Sequence, residues 1–301
     1  MRIRSARAVT HYAFARAVTP YAFISPFYIL YLLFFIVPIG GSIYLSLTQW
    51  SGLGTPAFTG LSNYRHLFND ASFYTALFNT LIYVLISVLI VVPLSLFLAQ
   101  TMNVRGLKAR DFWRLTFFAP MVLSPIVVAL VFGLLYNKQF GLLNVVLQAV
   151  LGIGVIDWLG DPTWAKASVG LLIIWRWTGY LSIFFLAGLQ AIPKELYEAS
   201  SLDGAGAVNQ FRHVTLPLLQ PVTAFVAVTV LIGSSQIFDE PYLLTSGGPG
   251  ESTLSVAMFI FRSAFQRQQL GYASAAAVVL FIMVFVLARL ASRLSGIGRE
   301  S

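Results

Sequence analysis

The stretch EASSLDGAGAVNQFRHVTLPLLQP, Glu198 to Pro221, decides how the chain is read. It is polar and rich in small residues, and it lies between two apolar runs long enough to cross a membrane. Pro193 before it suits the first turn of a helix, where a missing N–H costs nothing, and Lys194 to Leu202 contains no breaker. Gly204 suits a helix end that needs positive φ. A second short helix is expected from Ala207 to Thr215, stopped by Pro217. Two short helices at a bend, lying under a membrane, make a compact face that a partner could receive in a groove. A plain amphipathic connector is the alternative.

The surrounding composition sets that segment in a bilayer. Of 301 residues 58% are hydrophobic and 10% charged, and the mean hydropathy is +0.80. That is far from the average for soluble domains. A net charge of +8 sits in short segments between apolar runs, which argues for orientation in a membrane and against a nucleic-acid face. There is no cysteine, so disulfides, thiol catalysis and Cys-ligated metals are excluded. His11, His66 and His213 are scattered without metal spacing, and Glu195 and Glu198 have no partner that would make them a catalytic pair.

A hydrocarbon core of about 30 Å takes roughly 20 helical residues. Six runs qualify: Ile24 to Thr48, Phe78 to Thr101, Phe112 to Tyr136, Ser168 to Leu189, Leu218 to Phe238 and Ala273 to Ala291. They are continuous rather than alternating, which excludes a barrel. The expected fold class is an all-α membrane protein with six transmembrane helices. The expected division is a segment 1–23, a six-helix domain 24–291 carrying the polar loop at about 190–217, and a tail 292–301. Thirteen of the Lys and Arg residues fall before helix 1, after helices 2 and 4 and at the end of the chain, against five in the other loops. By the positive-inside rule both termini and the polar loop are cytoplasmic.

The basic N-terminus followed by an apolar run is read as a retained helix, because the run is too long for a signal peptide's core. RAVTHYAFA (Arg7 to Ala15) and RAVTPYAFI (Arg16 to Ile24) form a tandem repeat that puts aromatics near the membrane surface. GLLNVVLQAVL, Gly141 to Leu151, is too short to span and has a helical apolar stripe at Leu142, Val145, Val146 and Ala149. Asp157, Asp161 and Pro162 mark a turn-rich return to helix 4. SGGPGEST, Ser246 to Thr253, resembles a phosphate loop only faintly, since Glu251 stands where that loop needs Lys. TSGGPG likewise echoes an ATPase signature, but the expected topology faces both outward, away from ATP. A tight turn on the outer face is the better reading.

The quoted stretch, with its EASSLDGAG and VTLPLL, resembles the EAA loop of binding-protein-dependent ABC importer permeases. Glu198, Ala199, Asp203, Gly204, Leu216 and Pro217 match the pattern, with Ser200 in place of the usual Ala. GLSNYRHLF, FNTLIY, FFAPMVLSP, FLAGLQAIPKELYEAS, FDEPYLLTSGGPGEST and GYASA, in that order, are similar to the carbohydrate-uptake (MalF/UgpA-type) branch. The resemblance implies a MetI-like permease fold in a bacterial or archaeal cytoplasmic membrane. It implies a heterodimer with a second permease, two cytoplasmic ATPase subunits that bind the ATP and Mg, and an external substrate-binding protein. No cofactor is expected in this chain and no catalysis. Glu198, Ala199, Ser200, Asp203, Gly204, Leu216 and Pro217 would contact the ATPase and transmit its closure. A self-contained secondary transporter or channel is the alternative, but no Asp or Glu lies within a confident span to serve it.

Polar residues inside spans mark the expected substrate path, because a polar group facing lipid is costly. Helix 4 carries WRWTGYLS and helix 5 ends in IGSSQIFDE, so Gly179, Tyr180, Ser182, Ser234, Ser235 and Gln236 are the candidates. Packing through small residues is the alternative at each. Arg176 is the only basic residue in the interior of a span, Arg114 and Arg289 lying at span ends. It could reach the outer surface, contact an anionic substrate, or pair with Asp239 or Glu240. Pairing is preferred, with Asp239 as the candidate partner. Pro38, Pro93, Pro120, Pro125 and Pro221 are expected to kink their helices.

Overall fold

The computed structural model describes residues 19–104 and 106–294. The first copy of the tandem repeat, most of the segment 1–23 and most of the tail 292–301 lie outside the described residues. Four helices are long and apolar enough to cross a membrane: α1 (Thr19–Ser46), α3 (Ala71–Asn103), α7 (Pro162–Ala191) and α13 (Leu270–Leu294). Two bent pairs are apolar as well. These are α4 (Arg110–Val122) with α5 (Pro125–Leu135), and α9 (Ala207–Leu218) with α10 (Gln220–Ser235). The protein therefore has four to six candidate spans, six if each bent pair counts as one. Short helices fill the connections: α2 (Ser62–Leu67), α6 (Leu142–Leu151), α8 (Lys194–Leu202), α11 (Asp239–Thr245) and α12 (Val256–Gln266). A two-stranded hairpin, Thr48–Gln49 against Ala57–Phe58, follows α1 and was not expected from the sequence.

The long helices outrun the apolar runs because their ends are capped by polar residues that hydropathy does not count. Asp70 accepts the Ser72 N–H at 2.8 Å and starts α3 seven residues before Phe78. Asp161 accepts from the Thr163 and Trp164 N–H groups, with Pro162 at the first helical position, and starts α7 six residues before Ser168.

Proline acts in two ways. Pro125 denies helical geometry to the residue before it, so Leu123 and Ser124 are extended and α5 leaves α4 at 97°. Pro221 loosens the join at Leu219, where α10 leaves α9 at 67°. Pro38, Pro93 and Pro217 instead sit just beyond wide π turns at Leu32–Ile36, Ser87–Val91 and Phe211–Thr215. A π turn relieves the clash between a proline ring and the carbonyl four residues back, so these helices continue. The expectation that Pro217 stops the helix after Thr215 is therefore not met; α9 runs on to Leu218. Pro120 likewise lies within unbroken α4.

α7 forms the centre. Val169, Ile173, Leu181 and Phe185 pack against Tyr83, Val91 and Ala99 of α3 and Val226 and Val230 of α10. A second cluster joins α3, α12 and α13 through Phe73, Leu254, Met258, Phe259, Tyr272 and Leu280. Ser95 ties α3 to α7 by donating to the Thr178 carbonyl at 2.9 Å as well as to its own helix. Gly179 lets α4 approach α7 so closely that a Cβ there would collide with the Phe117 backbone. Close approach through small residues suits helices whose contacts in lipid come from packing. α1 contributes almost nothing buried; it joins the bundle at its last turn, beside α13.

Candidate functional site

A cavity of about 280 Å³ opens between α7, α10, the start of α11 and the middle of α3. Ser87, Trp177, Thr229, Ser234, Gln236, Asp239 and Glu240 bring polar atoms to its wall, with Ile173, Leu181, Val230, Ile237 and Phe238 between them. Few convergent polar groups in an apolar wall are what orients a small ligand. Gln236 is the C-cap of α10 and is exposed there. Ser234 is buried and donates to the Val230 carbonyl at 2.6 Å, which leaves its oxygen free to accept.

Of the sequence-predicted path residues, Ser234 and Gln236 therefore meet at this cavity. Gly179, Tyr180, Ser182 and Ser235 do not line it. Gly179 lies against α4. Ser182 and Ser235 are fully buried and donate to the carbonyls of Gly179 and Leu231. Tyr180 is half-buried among Phe118, Trp177 and Phe184. Ser87, Trp177, Thr229, Asp239 and Glu240 are polar wall residues that the sequence did not single out as a path. Trp177 lies one turn before Leu181, also on the wall, and that four-residue spacing was the available signal.

Arg176 does pair, but with Glu240 instead of Asp239. Arg176 Nη1 lies 3.2 Å from Glu240 Oε1, and both side chains are buried. Trp177 Nε1 donates to the same oxygen at 3.1 Å. Consecutive residues on a helix point about 100° apart, so only one of the two acids on α11 can face α7. Glu240 is 5% exposed, whereas Asp239 stays exposed.

The residues that connect α7 to α10 form an elbow. α8 follows α7 after two residues, and Asp203 caps it by donating its N–H to the Ala199 carbonyl. Gly204 turns the chain at φ +83°, so the expected positive φ is present, and Ala205 N–H closes the turn on the Ser200 carbonyl at 2.9 Å. Gln210 on α9 reaches back to Ser201 Oγ at 2.7 Å and the Tyr197 carbonyl at 3.2 Å. The Tyr197 hydroxyl meets Thr215 Oγ1 at 2.9 Å. Glu198, Ala199, Asp203, Gly204, Leu216 and Pro217 are exposed and Ser200 is half-buried. Leu202 is 90% exposed and Val208 78%, which leaves two apolar side chains uncovered at the tip.

Ser246 to Thr253 is a tight turn, with positive φ at Ser246, Gly247, Gly250 and Glu251. Asn79 of α3 holds it by donating to the Glu251 and Leu254 carbonyls at 2.9 and 3.0 Å, and Thr80 accepts the Val256 N–H at 2.9 Å. Arg262 donates to the Ser246 carbonyl. On α6, the apolar stripe at Leu142, Val145, Val146 and Ala149 is exposed. Buried Asn144 pins that helix to the carbonyls of Lys138 and Ile156 and to the Trp158 indole.

Residues 91–295 match the family described as the binding-protein-dependent transport system inner membrane component. The chain belongs to this family. It is 40% identical over 276 residues to the probable ABC transporter permease protein YurN of Bacillus subtilis, covering 90% of this chain and 94% of that one. It is 36% identical to the arabinooligosaccharides transport system permease protein AraP of the same organism, over 91% and 87% of the two chains. A chain in the crystal structure of the bacterial alginate ABC transporter in complex with alginate pentasaccharide-bound periplasmic protein superposes with a TM-score of 0.82 at 25% identity, covering 93% of this chain and 94% of that one. The chain thus shares a helical membrane-permease fold, and its family consists of transport subunits rather than enzymes.

Proposed function

We propose that this chain is the permease subunit of an ABC importer for sugars, that it crosses the cytoplasmic membrane six times with both termini inside, and that it pairs with a related permease, two ATPase subunits and an external binding protein. The observation that carries the reading is a continuity. α7 and α10 line the cavity, and they are the two helices that the exposed elbow joins. A push on the elbow reaches both walls of the cavity through short joints, two residues at Ile192–Pro193 and one at Leu219.

In this mechanism ATP and Mg stay with the ATPase subunits, and this chain supplies a lever and a path. Glu198, Ala199, Ser200, Asp203, Gly204, Leu216 and Pro217, with Leu202 and Val208 at the tip, form the face that enters an ATPase groove. ATPase closure turns α8 and α9, the cavity alternates between the two sides of the membrane, and Ser234 and Gln236 offer hydrogen bonds to hydroxyl groups beside the Trp177 ring. Gly179, Tyr180, Ser182 and Ser235 keep α7 and α10 packed while they move. Asn79 and Thr80 hold the Ser246 to Thr253 turn as a rigid outer surface for the binding protein. Family membership and sugar-transporting relatives such as AraP favour this over a self-contained transporter.

Purification in mild detergent tests it. The ATPase subunits should co-purify, and a Gln236→Leu variant should lose uptake while its ATPase still responds to loaded binding protein. A chain that transports with no ATPase attached would overturn the assignment.

A further inference from the structure

The cavity wall carries two acids, Asp239 and Glu240, and no Lys, Arg or His. The two acids are not equivalent. Glu240 is matched by Arg176, which sits behind the wall, and is further held by the Trp177 indole. Asp239 is exposed and, among the described residues, has no ion pair. The cavity therefore sees the field of one uncompensated carboxylate.

We propose that Asp239 makes this cavity a charge filter that admits uncharged glycans and turns away those bearing carboxylate or phosphate. The proposal rests on reading the cavity as the substrate path. The cation nearest the wall is unavailable to an anionic cargo: Arg176 is committed to Glu240, and drawing it away would leave Glu240 buried and unpaired next to a like charge. The remaining polar wall groups, Ser87, Thr229, Ser234 and Gln236, are neutral and suit hydroxyls. A cargo carboxylate about 7 Å from Asp239, at an effective dielectric of about 20 to 40, would be disfavoured roughly 7- to 60-fold.

The chain has no cysteine, so a single reporter thiol can be placed cleanly. Thr229→Cys puts one on the wall of the intact transporter. Its labelling by methanethiosulfonate reagents carrying either a sulfonate or a trimethylammonium group is followed by mass on this chain. With each rate taken relative to that reagent's rate with a small free thiol, the sulfonate reagent should react about tenfold more slowly than the cationic one. Adding Asp239→Asn, or raising the salt, should bring the two rates together. Equal rates at low salt, or a ratio that Asp239→Asn leaves unchanged, overturn the filter even where a transported saccharide protects the thiol. A ratio that behaves as expected, with no protection by any transported saccharide, overturns the substrate-path reading beneath it.

Discussion

Gly204 tests the elbow most directly because its surroundings isolate one physical effect. Its φ is +83° and nothing lies within 4 Å of where a Cβ would sit, so Gly204→Val introduces backbone strain without a collision. The left-handed region costs an ordinary L-residue roughly 1–2 kcal/mol, and a β-branched one at least that. The turn it strains is closed by Ala205 N–H on the Ser200 carbonyl and by Gln210 on Ser201. Such bonds contribute about 1 kcal/mol each, so the strain is large enough to rearrange the turn. It is small against the packing of α3, α7 and α10, so the chain should still insert. Gly206 supplies the control. It too has open space, but its φ is −73°, which valine adopts freely. Gly204→Asn is a second control, since Asn tolerates positive φ. On one preparation, Gly204→Val should co-purify less ATPase and lose stimulation of hydrolysis by loaded binding protein, while Gly206→Val and Gly204→Asn keep most of both. Full stimulation in Gly204→Val would refute the claim that elbow shape carries the coupling.

Glu240→Ala leaves Arg176 buried without its carboxylate and should cost about 3–5 kcal/mol, seen as a lower melting temperature in detergent; the double variant Arg176→Met, Glu240→Leu should recover most of it. Asn79→Leu removes both side-chain bonds that hold the Ser246 to Thr253 turn; the Glu251 carbonyl keeps the Leu254 N–H, but the Leu254 carbonyl loses its side-chain donor, at about 1–3 kcal/mol. Hydrogen exchange should rise in that turn and not in the elbow. Gly179→Ala forces α4 away from α7, so a loss of about 1–3 kcal/mol is expected, whereas Ser182→Ala should be close to neutral. Differential scanning of the two variants side by side reads the contrast.

The sequence disclosed the helices, the elbow and the positive φ at Gly204 because each rests on local chemistry: an apolar run, a breaker, a residue without a side chain. It disclosed a bend at Pro125 but not the 97° size of the corner after Val122, because hydropathy along FFAPMVLSPIVV does not see direction. The cavity was half legible. Polar residues in α7 and α10 stood out, yet which of them face inward depends on where neighbouring helices press. Gly179 and Ser182 proved to touch backbone, while Trp177 reached the wall. The choice between Asp239 and Glu240 hung on the phase of a helix whose start the sequence does not mark.

The corner between α4 and α5 has a consequence for what surrounds the protein. Where the chain turns through 97°, the α4 carbonyls after Ala119 and the Ile126 and Val127 amides of α5 have no helical neighbours to bond, and Ser124 offers no side-chain cap. Val122, Leu123 and Ser124 are exposed at that point. Lipid tails carry no hydrogen-bonding groups, so this bare backbone cannot rest in hydrocarbon. Either the corner is wetted or another polypeptide seals it, and a dry bilayer around this single chain is not a state in which the fold can be at rest.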